Sequence, residues 1–359
     1  MLSGSRAVMS GPDAAVSGSR AVRDDPRAAS SGSGGATPSR VTVVGMLGPT
    51  AVGKTAVAVE LAGLFGARVI SCDSMQVYRG FPVLTNQPSP VEREAVPHEL
   101  VGCAEPLESF SAARYAEAAR PLIDEDLAAT GRALVVGGTG LYMRAALAPL
   151  DARPQAHPGL RAALEARARD EGAEALHAEL ARLDPGAAER IDARNVRRVI
   201  RALEAVSTTG RPWSGRDDLW APVYRHPTLM VGLTLERAEL HRRIDARAGR
   251  MLEEGAIEEV ARFRREHGAE QTQPGGAGIR SAIGYREICL HLEGHLTVEE
   301  TAAQIAAATR RYARRQLTWL RKVEAAVIID LGDRSPRDIA QEVAALAASG
   351  ESTEEPEHA

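Results

Sequence analysis

Cysteine is scarce: Cys72, Cys103 and Cys289 are the only three in 359 residues. They lie far apart and form no C-x-x-C pair. That argues against a disulfide framework or a zinc site and predicts reduced thiols in a cytoplasmic protein. No uninterrupted apolar run approaches the roughly 20 residues that span a bilayer, so no membrane association is expected. The first residues hold no apolar stretch of the secretory kind, and Asp13, Asp24 and Asp25 count against an organelle transit peptide. Charge of one sign is missing too. Lys and Arg number 44 against 48 Asp and Glu, a net −4, so the distribution of charge, and not its sum, bears on any polyanionic partner. The histidines form no ligand set; His291 and His295 stand at metal-ligand spacing without companions.

What is present is concentrated in Gly48-Pro49-Thr50-Ala51-Val52-Gly53-Lys54-Thr55. An apolar run over 41–44 precedes it and a helix-compatible run over 56–62 follows. Strand, glycine-rich loop and helix at the spacing G-x-x-x-x-G-K-[ST] make a phosphate-binding loop. Glycines let backbone N–H groups curl towards an anion, and the helix start adds unpaired donors and a positive dipole end. Lys54 brings a mobile charge to phosphate oxygens, and the Thr55 hydroxyl suits Mg²⁺. The alternative is a glycine-rich turn that happens to carry Lys-Thr. A bound di- or triphosphate is the expectation.

The length suits two domains, or one with an insertion. The expected class is α/β: a P-loop NTPase-like core, a parallel sheet flanked by helices, with an inserted all-helical subdomain. Residues 1–40 read as a disordered tail or an over-long start, 41–149 as the first part of the core, and 150–225 as the helical insertion. The second part of the core follows over 226–335, then a C-terminal helix and an acidic disordered end over 336–359. Strands are expected over 67–71, 132–136, 226–235 and 327–330. Helices are expected over 111–129, 158–183, 185–206, 239–266 and 298–323. The proline-rich segment 80–97 reads as an irregular surface loop.

Asp73 follows the second strand and should face the same crevice as the phosphate loop. It reads equally as a general base, or as a helix N-cap or outer partner of Mg²⁺. The glycines at 137, 138 and 140 repeat the strand–glycine–helix junction beside it. Where an ATPase would hold Mg²⁺ with an Asp after the strand over 134–136, this chain has glycine. The loop therefore suits a leaving diphosphate better than a transferable γ-phosphoryl group, with Arg242, Arg243 and Arg247 placed to close over it. Arginines cluster at 194, 197, 198 and 201, and again at 310, 311, 314, 315 and 321 beside Lys322, Tyr312 and Trp319. Such faces are either solvated or grip a phosphate backbone. His98 is structural or lies near the site.

Several stretches together resemble the tRNA dimethylallyltransferase (tRNA isopentenyltransferase) family. They are the phosphate loop, Ile70-Ser71-Cys72-Asp73-Ser74-Met75-Gln76-Val77-Tyr78-Arg79-Gly80 and Val136-Gly137-Gly138-Thr139-Gly140-Leu141-Tyr142. Arg201-Ala202-Leu203-Glu204, Ala282-Ile283-Gly284-Tyr285-Arg286-Glu287, and Thr309-Arg310 through Arg315-Gln316-Leu317-Thr318-Trp319 complete the set, in family order over roughly 41–322. The resemblance implies transfer of a dimethylallyl group from dimethylallyl diphosphate to N6 of the adenine 3′-adjacent to the anticodon. It implies that Asp73 takes the N6 proton and Thr139 helps place the adenine. Lys54, Thr55 with Mg²⁺, and Arg243 would bind the departing diphosphate. Contacts to the tRNA anticodon stem-loop are implied for Asp73, Ser74, Met75, Gln76 and Thr139. They are implied also for Arg197, Arg198, Val199, Ile200 and Arg201, and for Arg280, Ser281, Ala282, Ile283, Gly284 and Tyr285. A monomer is expected.

Two departures stand out. The chain has Leu84-Thr85-Asn86-Gln87-Pro88 where the family runs close to Gly-Thr-Ala-Lys-Pro, and His98-Glu99 in place of paired His. Neither touches the base or the phosphate loop, so activity should survive. Competing functions are a small-molecule P-loop kinase, an isopentenyltransferase acting on free adenine nucleotides, and a non-catalytic RNA-binding protein. The helical insertion counts against the first two, and intact Lys54, Thr55 and Asp73 against the third.

Overall fold

A computed structural model describes residues 41–148, 158–210, 212, 223–323 and 326–350. The expected tail over 1–40, the acidic end from 351, the expected boundary near 150 and residues 213–222 of the expected insertion lie outside the described residues.

Among the described residues six strands build one sheet: β1 Val43–Leu47, β2 Val69–Cys72, β3 His98–Glu99, β4 Ala133–Gly137, β5 Thr228–Thr234 and β6 Val327–Asp330. Their order is β3-β2-β4-β1-β5-β6, and every pairing is parallel. All five residues of β1 are buried, because both faces of a parallel sheet are covered and its central strands read as unbroken apolar runs. Alternate residues still go to opposite faces. Val44 and Met46 join Leu134, Val136 and Val231 on one face, while Val43 and Leu47 join Ala133, Val135 and Met230 on the other.

The first face is covered by α1 Lys54–Phe65 and by the C-terminal helix Pro336–Ser349, which packs along α1. Between β2 and β3 a short helix, α2 Pro90–Ala95, interrupts the segment expected to be irregular. Its signal was Ser89-Pro90-Val91-Glu92. The Ser89 hydroxyl accepts from the Glu92 N–H while the Glu92 carboxylate accepts from Ser89, a capping box with proline in the first turn. The second face is covered by α3 Ala112–Thr130, capped by Ser111, and by α4 Gly140–Leu147.

The described residues of the helical stretch form four helices where two are expected from sequence: α5 Pro158–Asp170, α6 Ala173–Leu183, α7 Pro185–Arg190 and α8 Val196–Thr209. Gly172, at φ 88°, divides the first pair, a conformation costly for any residue with a Cβ. The second pair is divided at 191–195, where Asp192 folds back on Arg194 and Asn195 caps α8. Leu176, Leu180, Val199, Ile200 and Leu203 give these helices an apolar cluster of their own. After β5, the long helix expected over 239–266 is likewise two, α9 Arg237–Glu253 and α10 Ala256–Gln271, split at Gly255 with φ 114°. A 3-10 turn, Gly278–Ser281, leads to α11 Tyr285–Leu292 and α12 Val298–Leu320; the C-terminal helix is α13. Among the described residues no helix is long and apolar enough to cross a membrane.

Candidate active site

The register places Leu47 of β1 and Cys72 of β2 on either side of Gly137 of β4. Three chain segments therefore leave the sheet side by side at its C-terminal edge, where open α/β sheets bind ligands. They are the phosphate loop, the segment opened by Asp73, and the glycine turn before Thr139. A cavity of about 800 Å³ opens there, lined among others by Thr50, Lys54, Thr55, Asp73, Arg243 and Arg247.

Within the loop Ala51 and Gly53 take positive φ of 66° and 112°, and α1 begins at Lys54. The Lys54 ammonium folds back to donate to the carbonyls of Gly48 (3.0 Å) and Pro49 (2.8 Å). Burial pushes its pKa down to about 8, the Asp73 carboxylate opposing and Arg247 adding to the fall. From α9, Arg243 Nη1 donates to the Val52 carbonyl (3.3 Å) while its Nε pairs with Glu239 at 2.7 Å. One turn on, Arg247 Nη1 donates to the Thr50 hydroxyl at 3.0 Å. Burial lowers the Arg247 pKa to about 10, again against the pull of Asp73. Arg242 lines the cavity and pairs with Glu239.

Asp73 divides its two oxygens. Oδ1 accepts from the N–H groups of Met75 (2.8 Å) and Gln76 (3.3 Å), closing a turn. Oδ2 has no donor among the described residues. The turn role and the free carboxylate oxygen thus belong to the same side chain. Thr139 sits across from it: its hydroxyl accepts from the Ser74 N–H at 3.2 Å. The Cys72 thiol donates to the Thr139 carbonyl at 3.5 Å. Tyr312 of α12 belongs to this side as well. Burial, and then the nearby Asp73 charge, push its phenol up to about 12.

Gln316, about one turn before the end of α12, has no role that its sequence context announces. Its Oε1 accepts from the Thr50 N–H (2.8 Å) and its Nε2 donates to the Gly138 carbonyl (3.0 Å). The turn is shaped to receive α12. A Cβ on Gly138 would lie 2.0 Å from Gln316 Nε2, and one on Gly140 2.5 Å from Trp319 Cε3. The signal that could have found Gln316 is its place on the buried stripe Ala313, Gln316, Leu320 of an otherwise arginine-rich helix.

The residues implied as RNA contacts divide by exposure. Arg197 and Arg198 are exposed on α8, and Arg201 pairs with buried Glu204 at 3.3 Å. Val199 and Ile200 are 0% and 3% exposed, inside the apolar cluster of α5–α8. Their side chains hold the helix and offer a partner nothing. Gln76 is committed to the Asn86 carbonyl and the Ser71 hydroxyl, and Met75 is half-buried. In the other stretch the Arg280 guanidinium is tied to the carbonyls of Ala277 (3.0 Å) and Gln271 (2.7 Å). Ala282 and Tyr285 are buried, with the Tyr285 hydroxyl donating to Thr272 at 2.7 Å. Gly284 opens α11, Ile283 packs against the core, and Ser281 alone of the six is exposed. On α12, Arg311, Arg314 and Arg315 are exposed, Arg315 over the Tyr312 ring at 5.4 Å, while Arg310 pairs with Asp245.

The departures have structural work. Gln87 donates to the carbonyls of Gln76 (3.0 Å) and Tyr78 (2.8 Å), fastening its loop to the segment that starts at Asp73. Buried Leu84 donates its N–H to Glu259 at 2.9 Å. Glu99 pairs with Arg68 at 3.4 Å. His98 lines the cavity and bonds the Val96 carbonyl through Nδ1 at 2.8 Å.

Comparison with known proteins agrees with this geometry. A family model described as IPP transferase matches residues 76–323, and one described as isopentenyl transferase matches 41–99. The tRNA dimethylallyltransferase of Thermomicrobium roseum is 46% identical over 286 residues, 79% of this chain and 85% of the relative. That of Geobacillus thermodenitrificans is 43% identical, over 78% and 87%. Among solved structures, the tRNA isopentenylpyrophosphate transferase of Bacillus halodurans superposes with a TM-score of 0.61 at 37% identity, covering 86% of this chain and 97% of its own. A eukaryotic dimethylallyltransferase captured acting on tRNA gives a TM-score of 0.73 at 27% identity, covering 86% and 78%. The chain belongs to the tRNA dimethylallyltransferase family.

Proposed function

We propose that the protein transfers a dimethylallyl group from dimethylallyl diphosphate to N6 of adenine 37 in tRNA, giving N6-(dimethylallyl)adenosine and diphosphate. The observation that carries this is the open Oδ2 of Asp73 on the wall of a cavity that Lys54, Thr55, Arg243 and Arg247 also line. The N6 lone pair attacks the allylic carbon, the carbon–oxygen bond breaks, and its electron pair leaves on the diphosphate. Asp73 Oδ2 takes the N6 proton. Lys54, Arg243, Arg247 and the loop amides meet the charge that grows on the departing oxygens. Glycine at the end of β4, where an ATPase needs a carboxylate, fits a reaction with no phosphoryl transfer.

Mg²⁺ fits the donor set. Among the described residues no three His, Cys, Asp or Glu side chains gather as a metal cage. The Thr55 hydroxyl at the start of α1 is the hard oxygen donor that would hold the ion, leaving Asp73 Oδ2 for the N6 proton. Mg²⁺ keeps several waters and binds through one or two protein oxygens plus phosphates, so it would arrive with the diphosphate and neutralise it.

The acceptor adenine must leave the anticodon stack to reach Asp73. Thr139 and Ser74 border its place, with Tyr312 behind them. We assign the phosphate backbone to Arg197 and Arg198 on the 150–225 insertion and to the exposed arginines of α12. The protein works as a cytoplasmic monomer on the anticodon stem-loop.

With Mg²⁺, the purified protein should move label from dimethylallyl diphosphate onto an anticodon stem-loop with adenine beside the anticodon. Label on AMP and none on RNA would overturn the assignment. Arg197→Ala should weaken stem-loop binding and reduce the slope of log affinity against log salt by about one; an unchanged slope would make Arg197 a solvated residue.

Lys54 sets two opposite pH trends. Its ammonium must be charged to hold diphosphate, and phosphate ionises near pH 6. Affinity for inorganic diphosphate should therefore weaken as pH rises above about 8, by up to about tenfold per unit. Stability goes the other way. The folded pKa lies below the unfolded 10.5, so between about 8 and 10.5 the unfolded chain holds the extra proton and the empty protein gains stability with pH. Lys54→Met should abolish both trends, read by titration calorimetry and thermal melts.

A further inference from the structure

We infer that Gln316 is a positioning residue for this transfer, the side chain that sets the leaving-group cradle and the acceptor turn at a fixed separation. The inference rests on the function proposed above. One buried amide uses both halves: Oε1 on the Thr50 N–H at 2.8 Å and Nε2 on the Gly138 carbonyl at 3.0 Å. Thr50 belongs to the loop that holds the diphosphate, and its hydroxyl also takes the Arg247 bond. Gly138 precedes Thr139, whose hydroxyl borders Asp73's segment through the Ser74 N–H. The Cα–Cβ vector of a larger residue at 138 would drive into Gln316 Nε2, so turn and amide fit only as a pair.

The position on α12 adds a second consequence. Gln316 faces inward at 7% exposure, while Arg311, Arg314 and Arg315 of the same turns face outward. Trp319, one turn on, seats the helix against Gly140. The helix offered to RNA is thereby fastened to the floor of both subsites. Gln316 borders the cavity, but both halves of its amide are engaged by the loop and the turn. It acts through the loop and the turn, and a displacement of about 1 Å between reacting atoms costs on the order of 10²-fold in rate.

The test compares Gln316→Leu and Gln316→Glu with the wild-type chain, using labelled dimethylallyl diphosphate and the stem-loop. Gln316→Leu removes both bonds at similar volume. It should lower kcat about 10–100-fold while KM for the donor and stem-loop binding stay within about threefold. A carboxyl at 316 can reproduce both bonds only when protonated, its carbonyl accepting from Thr50 and its O–H donating to Gly138. The deficit of Gln316→Glu relative to wild type should therefore shrink as pH falls from 8 to 6, whereas that of Gln316→Leu should not change with pH. Should Gln316→Leu fail to fold, the pH profile of Gln316→Glu decides alone. A kcat within threefold of wild type for Gln316→Leu, or a Gln316→Glu deficit independent of pH, overturns the inference. Wild-type protein that transfers no label to RNA would instead sink the functional assignment beneath it.

Discussion

Replacing Asp73 is expected to slow dimethylallyl transfer about 10²–10⁴-fold, the usual worth of a positioned general base. Asparagine is a better probe than alanine, for a reason visible in the turn. Oδ1 holds the N–H groups of Met75 and Gln76, so Asp73→Ala strips two backbone donors of their acceptor and can disturb the segment as well as the chemistry. Asp73→Asn keeps an acceptor oxygen in that place and removes only the basic one. Both variants should retain inorganic diphosphate affinity within a few fold, because the cradle lies on another loop. Asp73→Asn should also retain the melting temperature. A fully active Asp73→Asn protein would reduce the residue to a turn former.

Lys54→Met should lower kcat/KM about 10²–10³-fold, the loss seen when one preorganised donor to developing charge is removed. The ammonium is stored, not idle. It bonds two carbonyls of its own loop, and a bound diphosphate would exchange those bonds for charge-assisted ones. Methionine keeps the length and apolar stem but can do neither. Lys54→Arg should not rescue, since a planar guanidinium cannot occupy the point between the Gly48 and Pro49 carbonyls. Loss of less than tenfold in Lys54→Met, measured with saturating stem-loop, would transfer the main grip on the diphosphate to Arg243 and Arg247.

The features legible in the sequence are those written locally. The phosphate loop, the strand before it and the carboxylate after β2 follow from spacing and apolar runs. The parallel sheet follows from strands that are apolar throughout. Helix ends were less legible where one residue carries them: Gly172 and Gly255 break helices whose apolar periodicity runs straight across, and α2 hid in a proline-rich stretch although its capping box was written out. Side-chain direction was the harder matter. Val199 and Ile200 stand between Arg198 and Arg201 in sequence but face the opposite way on α8. Motif proximity could not separate a helix's contact face from its anchoring face. Gln316 was illegible for a different reason. Its partners are Thr50 and Gly138, and nothing local in a helix rich in Arg announces bonds across so much chain.

The pairing of β1 also bears on how the protein is made. That strand emerges early in synthesis, yet its two neighbours begin at Ala133 and Thr228, and its loop receives Gln316 later still. A nascent chain therefore carries an apolar β1 with open edges while most of the polypeptide is unwritten, a condition that slows folding and exposes strands to wrong partners. The anion cradle at 48–55 is completed by Gln316 of α12, so the Thr50 N–H finds its native acceptor only after α12 has been made.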